Sequence, residues 1–142
     1  MLKLTKKIIN QHLVPHLSKG KRGPECKVGL WRIVRSIAHR VKTGSQWREL
    51  PVRGWFGKYT ITWNTVYYYY NKWFRDDSWQ RMWEALLEIN KAQLDMSSVQ
   101  LDGSHTPAWR GGEQVAYQGR KKRKTTNMLF LTDSQGIPLA CS

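Results

Sequence analysis

With 142 residues, 40% of them hydrophobic and 8 of them Trp, the chain suffices for one domain or two small ones and is too apolar for wholesale disorder. Its net charge of +14 lies wholly in the first half, where residues 1–75 hold 16 Lys/Arg against 2 acids, while residues 76–142 hold 8 against 8. A polyanion partner is implied, usually nucleic acid; no membrane partner is expected, and a spanning helix is excluded because no apolar run approaches the roughly 20 residues that span a bilayer.

The opening MLKLTKKIINQHL is too polar for a signal peptide. Cys26 and Cys141 fit no metal spacing and read as free thiols of a reducing cytoplasm. A cytoplasmic protein is expected.

LTKKIINQHLVPHL predicts a short helix capped by Thr5 and ended by Pro15. SKGKRGPE then reads as a basic, turn-forming linker. From Lys27 to Thr43 the period is helical. Val28, Trp31, Val34, Ala38 and Val41 form one stripe, and Arg32, Arg35, His39 and Lys42 another. The basic stripe is either an ordinary solvated face or a row of phosphate contacts. Gly44 is placed to stop the helix. SQWRELPVRGWFGKYT is turn-rich, but its Trp residues point to packing.

A second long helix is predicted over 62–75, capped by Thr60 or Thr62. Trp63, Val66, Tyr70 and Trp73 are its expected buried stripe, with Asn64, Thr65, Tyr68, Tyr69, Lys72 and Arg75 on the other side. Successive helical residues are about 100° apart, so four consecutive tyrosines cannot share one buried face. The polar side suits a DNA groove, where such residues bond phosphates and base edges. A third helix runs from Asp77 or Ser78 to about Lys91. Trp79, Met82, Trp83, Leu86 and Ile89 face inward, and Glu84 and Glu88 sit outside. Its acids repel phosphate, which makes it scaffold.

After about Met96 the period shortens to that of strands. VQLDGSH sets Val99 and Leu101 on one face and Gln100 and Asp102 on the other. A loop with the basic run Arg120 to Lys124 follows. Met128 to Leu131 reads as a buried-type strand, Asp133 to Gly136 as a turn, and Ile137 to Cys141 as a hairpin partner. Domains are expected at 1–95, helical, and 96–142, built of strands.

Asp102 is the candidate for chemistry, since a carboxylate at a strand end can hold a divalent cation. Spacing alone favours a turn-initiating Asp before Gly103, the commoner fate of Asp-Gly pairs. His105 and Glu113 have no evident partner, and Asp133 reads as a turn residue. No Ser/His/Asp constellation, phosphate loop or Cys/His cluster occurs.

LWRIVRSIAHRVKTGSQWRELP, followed by FGKYTITWNTVYYYYNKWFRDDSWQRMWEALL, resembles the amino-terminal domain of bacterial insertion-sequence transposases of the DDE class, of the insertion-sequence type five kind. VQLDGSH resembles the strand bearing that family's first catalytic aspartate. GRKKRKTTNMLFLTDSQGIPL resembles its later segment, with Asn127 standing where a Lys is expected.

The resemblance implies an α+β chain: a helix-turn-helix-like DNA-binding domain, then the first three antiparallel strands of a truncated RNase H-like fold. It implies Asp102 as the first of three carboxylates that bind two Mg²⁺ ions in the complete enzyme. The other two belong to segments beyond this sequence. The chain therefore looks like an upstream reading frame or a truncated remnant, inactive alone. Its strand region is expected to expose an apolar face and free edges and to be loosely held.

The implied partner is double-stranded DNA at the terminal inverted repeats. Asn64, Thr65, Tyr68, Lys72 and Arg75 are expected to read it, and Arg32, Arg35 and Lys42 to hold phosphates. A homodimer or a downstream transposase segment is a further partner. Two other readings stand beside this one: a non-catalytic regulator of transposition, and a basic RNA-associated protein.

Overall fold

The computed structural model describes residues 5–20, 26–57, 61–108 and 115–141. Thr60, Glu113 and residues 21–25 of the basic linker lie outside them. The chain divides into two compact units, Met1–Ile89 and Asn90–Ser142.

The first unit is helical. Thr5 caps α1 (Lys6–Ile8), its hydroxyl accepting the Ile8 N–H at 3.3 Å. The helix runs on through a π-helical stretch, Ile9–Leu13, and closes in a 3₁₀ turn, Val14–His16. Pro15 was expected to end the helix but sits inside this last turn, near its start, where a missing N–H is tolerated. Ile9, Leu13 and Leu17, four residues apart, enter the core.

Helix α2 (Leu30–Thr43) ends at Gly44, whose φ of 68° is the left-handed conformation glycine adopts freely. Its buried face is Ile33, Val34, Ser36 and Ile37; of the predicted stripe, Val28 and Val34 are buried and Trp31 and Ala38 half-buried, but Val41 is 65% exposed. The reason is that α2 has neighbours on two sides, the π-helical stretch and the later helix 63–75, so it buries a broad arc centred on Ile33 and Ile37. The buried Ser36 hydroxyl donates to the Arg32 carbonyl at 2.9 Å.

The connector folds into a 3₁₀ turn, Trp47–Glu49, and α3 (Val52–Phe56), burying Leu50, Val52 and Phe56.

Helix α4 (Trp63–Arg75) buries Val66, Tyr69 and Trp73. Tyr69 was expected outside and is inside, whereas Tyr70 is only half-buried. The spacing of three then four makes Tyr69 the natural bridge between Val66 and Trp73. Tyr67 and Tyr68 are exposed. Thr62 has the extended backbone of a cap, but its side chain makes no capping bond.

Helix α5 (Ser78–Ile89) turns Trp79, Met82 and Leu86 toward the core. Trp83 and Ile89, expected inside, are exposed: Trp83 lies to one side of that stripe, and Ile89 is the last residue of the helix. Glu84 and Glu88 are exposed, as expected of the outer face.

The second unit is an antiparallel sheet of β1 (Gln100–Pro107), β2 (Val115–Gln118), β3 (Arg123–Thr132) and β4 (Pro138–Cys141). Strand β3 is central. Strand β1 runs along one edge of it from Thr125 to Thr132, while β2 and β4 pair with opposite ends of its other edge.

Three strands were expected and four form. Val115–Gln118 pairs with residues 123–126, so the basic run is not a loop: it makes a 3₁₀ turn, Gly119–Lys121, and then opens β3. Directly paired residues share a face. Leu101, Leu129 and Leu131 lie on one side of the sheet; Asp102, Met128 and Phe130 lie on the other. Strand β3 was expected to be buried, yet Met128, Leu129 and Leu131 are exposed, and so is Leu101.

Asp133 is buried in the β3–β4 turn, as its turn reading requires. Its carboxylate accepts the N–H groups of Ile137 at 2.8 Å, Gln135 at 3.0 Å and Asp95 at 3.1 Å.

Candidate nucleic-acid interface

The outer side of α4 carries an open groove of about 580 Å³, lined by Asn64, Tyr67, Tyr68, Asn71, Lys72, Arg75 and Asp76. Positions 64, 68, 71 and 75 follow one another by four, three and four residues, so helical geometry alone aligns them. Four of the five residues predicted to read DNA meet here. The fifth, Thr65, is half-buried on the flank.

Lys72 differs from the rest. Its ammonium bonds Asp76 at 2.7 Å and also contacts the Ser18 hydroxyl. Asp76 further accepts from the Ser18 hydroxyl and from the Ser78 N–H at 3.2 Å. Burial works to raise the Asp76 carboxyl, but the bonds from Lys72, Ser18 and Ser78 outweigh it and hold the group well below the ordinary carboxylate range. The charge of Lys72 is thus tied to the turn between α4 and α5, whereas Arg75 projects from the same face exposed.

A second concavity, of about 520 Å³, lies between α2 and α3. Trp31, Arg32, Arg35 and His39 contribute from α2, and Trp55 from α3. The guanidiniums of Arg32 and Arg35 stand 5.2 and 5.9 Å from the Trp31 ring, and the Lys6 ammonium 5.5 Å from it. The His39 ring meets Trp55 edge-on at 4.9 Å. Among the described residues no acid lines the cleft. Lys42, the third expected phosphate contact, is exposed farther along α2 and does not line it.

Residues 7–83 match the family model described as "Putative transposase of IS4/5 family (DUF4096)". The chain belongs to this family. No curated protein and no solved structure matches it. The family's span includes both concavities and every predicted DNA contact, and leaves the sheet outside.

Asp102 is exposed in β1, opposite Phe130. His105, three residues on, pairs with Asn127 and therefore belongs to the opposite face. Among the described residues no three His, Cys, Asp or Glu side chains could together hold a metal ion. Those residues by themselves do not fit a two-ion centre, so no reaction step is assigned to one.

No described helix is long and apolar enough to cross a membrane. Asn71, Tyr67 and Trp55 escaped the sequence reading. Asn71 had a signal, seven residues after Asn64. Trp55 had none, because its place depends on α3 lying beside α2.

Proposed function

We propose that the helical unit binds duplex DNA at the terminal inverted repeats of an insertion sequence, as the recognition part of a DDE transposase. Helix α4 acts as the reader of a helix-turn-helix-like arrangement, entering the major groove with Asn64, Tyr68, Asn71 and Arg75. Arg32, Arg35 and Lys42 hold phosphates and set register without reading sequence. The observation that carries this reading is the α4 groove, with its two carboxamides on one helix face, on the half of the chain that holds all the net charge. An Asn carboxamide can donate to and accept from adenine at once.

We also infer that Asp102 is the first carboxylate of an RNase H-like centre. Support comes from the antiparallel pairing of β1 with β3 and of β3 with β4, with Asp102 on β1. The Mg²⁺ ions of that centre need carboxylates from outside the described residues.

Selection from random duplexes tests the DNA reading. The full chain is expected to enrich one motif and to keep it against excess bulk RNA. Enrichment of no motif, or loss of DNA to the RNA competitor, overturns the proposal.

A further inference from the structure

The cleft between α2 and α3 has a chemistry that an intact duplex does not satisfy. Its cationic side is Arg32 and Arg35, both set against Trp31. Arg32 is partly engaged, donating weakly to the Phe56 carbonyl at 3.5 Å, while Arg35 is exposed. Its other side is Trp55, 38% exposed and steadied by the edge of His39.

A duplex presents phosphates and base edges. Its base faces are stacked on one another, so an indole beside the phosphates finds no ring to cover. An unpaired nucleotide offers both groups together, a phosphate for a guanidinium and a π-face for an indole. The cleft, at about 520 Å³, has room for one such unit, and no carboxylate lines it among the described residues.

We propose that this cleft holds an unpaired DNA nucleotide, its base on Trp55 and its phosphate on Arg35. The inference rests on the DNA-binding reading above and adds that the protein prefers ends that are frayed or single-stranded.

The test compares the full chain on three labelled DNAs: a blunt duplex, the same duplex with a short unpaired thymidine extension, and the same extension made abasic. The thymidine extension is expected to tighten binding about five- to hundredfold, the effect of stacking one base on an aromatic ring. The abasic extension keeps the phosphates and should fall back toward the blunt duplex. Trp55→Ala should bring the ratio of extended to blunt affinity to about one, and Trp55→Phe should keep most of it.

Equal binding of extended and blunt duplexes overturns the proposal. So does an abasic extension as good as thymidine, or a ratio untouched by Trp55→Ala. Tight blunt-duplex binding with no gain from the extension overturns this inference alone. A gain from the unpaired strand without blunt-duplex binding keeps the cleft and overturns the duplex reading. Failure of every DNA to bind overturns both.

Discussion

Asn64 and Asn71 lie in one groove of α4, seven residues apart, which is about 10.5 Å along the helix axis. That distance is close to three base-pair steps of B-DNA, at about 3.4 Å each. Tyr68 lies between them. Two carboxamides at this separation can each address an adenine edge. The selected motif should therefore hold two A·T pairs about three steps apart. Asn71→Ala should relax preference at one of them, costing about 1–3 kcal/mol there, and Asn64→Ala at the other. Repeating the selection with each variant checks this; a motif unchanged by both would remove α4 as the reader.

Arg35 is exposed on α2 and is expected to contact phosphate. Arg35→Ala should weaken binding to every duplex alike and reduce the salt slope by about one unit. Affinity measured from low to moderate salt on matched and scrambled duplexes decides the matter. A loss confined to the matched site would make Arg35 a base reader instead.

Asp76 ties the remote Ser18 to its near neighbours Lys72 and Ser78. Its carboxyl is lowered from an ordinary 3.8 in the folded state. The stabilisation is therefore complete above that value and is lost as pH falls toward the lower, folded one. Asp76→Ala should cost about 1–2 kcal/mol at neutral pH, or several degrees in Tm. The gap between parent and variant should narrow steadily below pH 4. Thermal melts across acid pH read this directly, and a gap constant with pH would show that the charge on Asp76 contributes nothing.

The sheet buries Thr125 and Asp133 but leaves Leu101, Met128, Leu129 and Leu131 exposed, whereas the helical unit holds fourteen buried apolar side chains. Little apolar burial means cheap local opening. Amides of Met128 to Leu131 should exchange faster than those of Val66 to Trp73 by hydrogen-exchange mass spectrometry. Equal protection would mean that the exposed leucines are covered in solution.

Much of this was legible in the sequence because it is local. Thr5 and Gly44 mark their helix ends by their own backbone and side-chain chemistry, and Asp133 announces its turn. The positions 64, 68, 72 and 75 align by helical period with no help from the rest of the chain, and the uneven charge is a matter of counting.

Burial belongs to tertiary structure. Which arc of α2 goes inside, and whether Tyr69 or Tyr70 does, depends on how many neighbours each helix has, and periodicity leaves such choices within one residue of each other. Strand β2 became visible only through its pairing with β3, since a four-residue strand has too short a pattern to declare itself. Lys72 reaches Ser18 as well as its i,i+4 neighbour Asp76 because a distant segment closes on the α4–α5 turn. The Trp55 cleft exists because α3 folds beside α2. Hydrogen bonds and packing between segments far apart in the chain decide these features, and no local pattern encodes them.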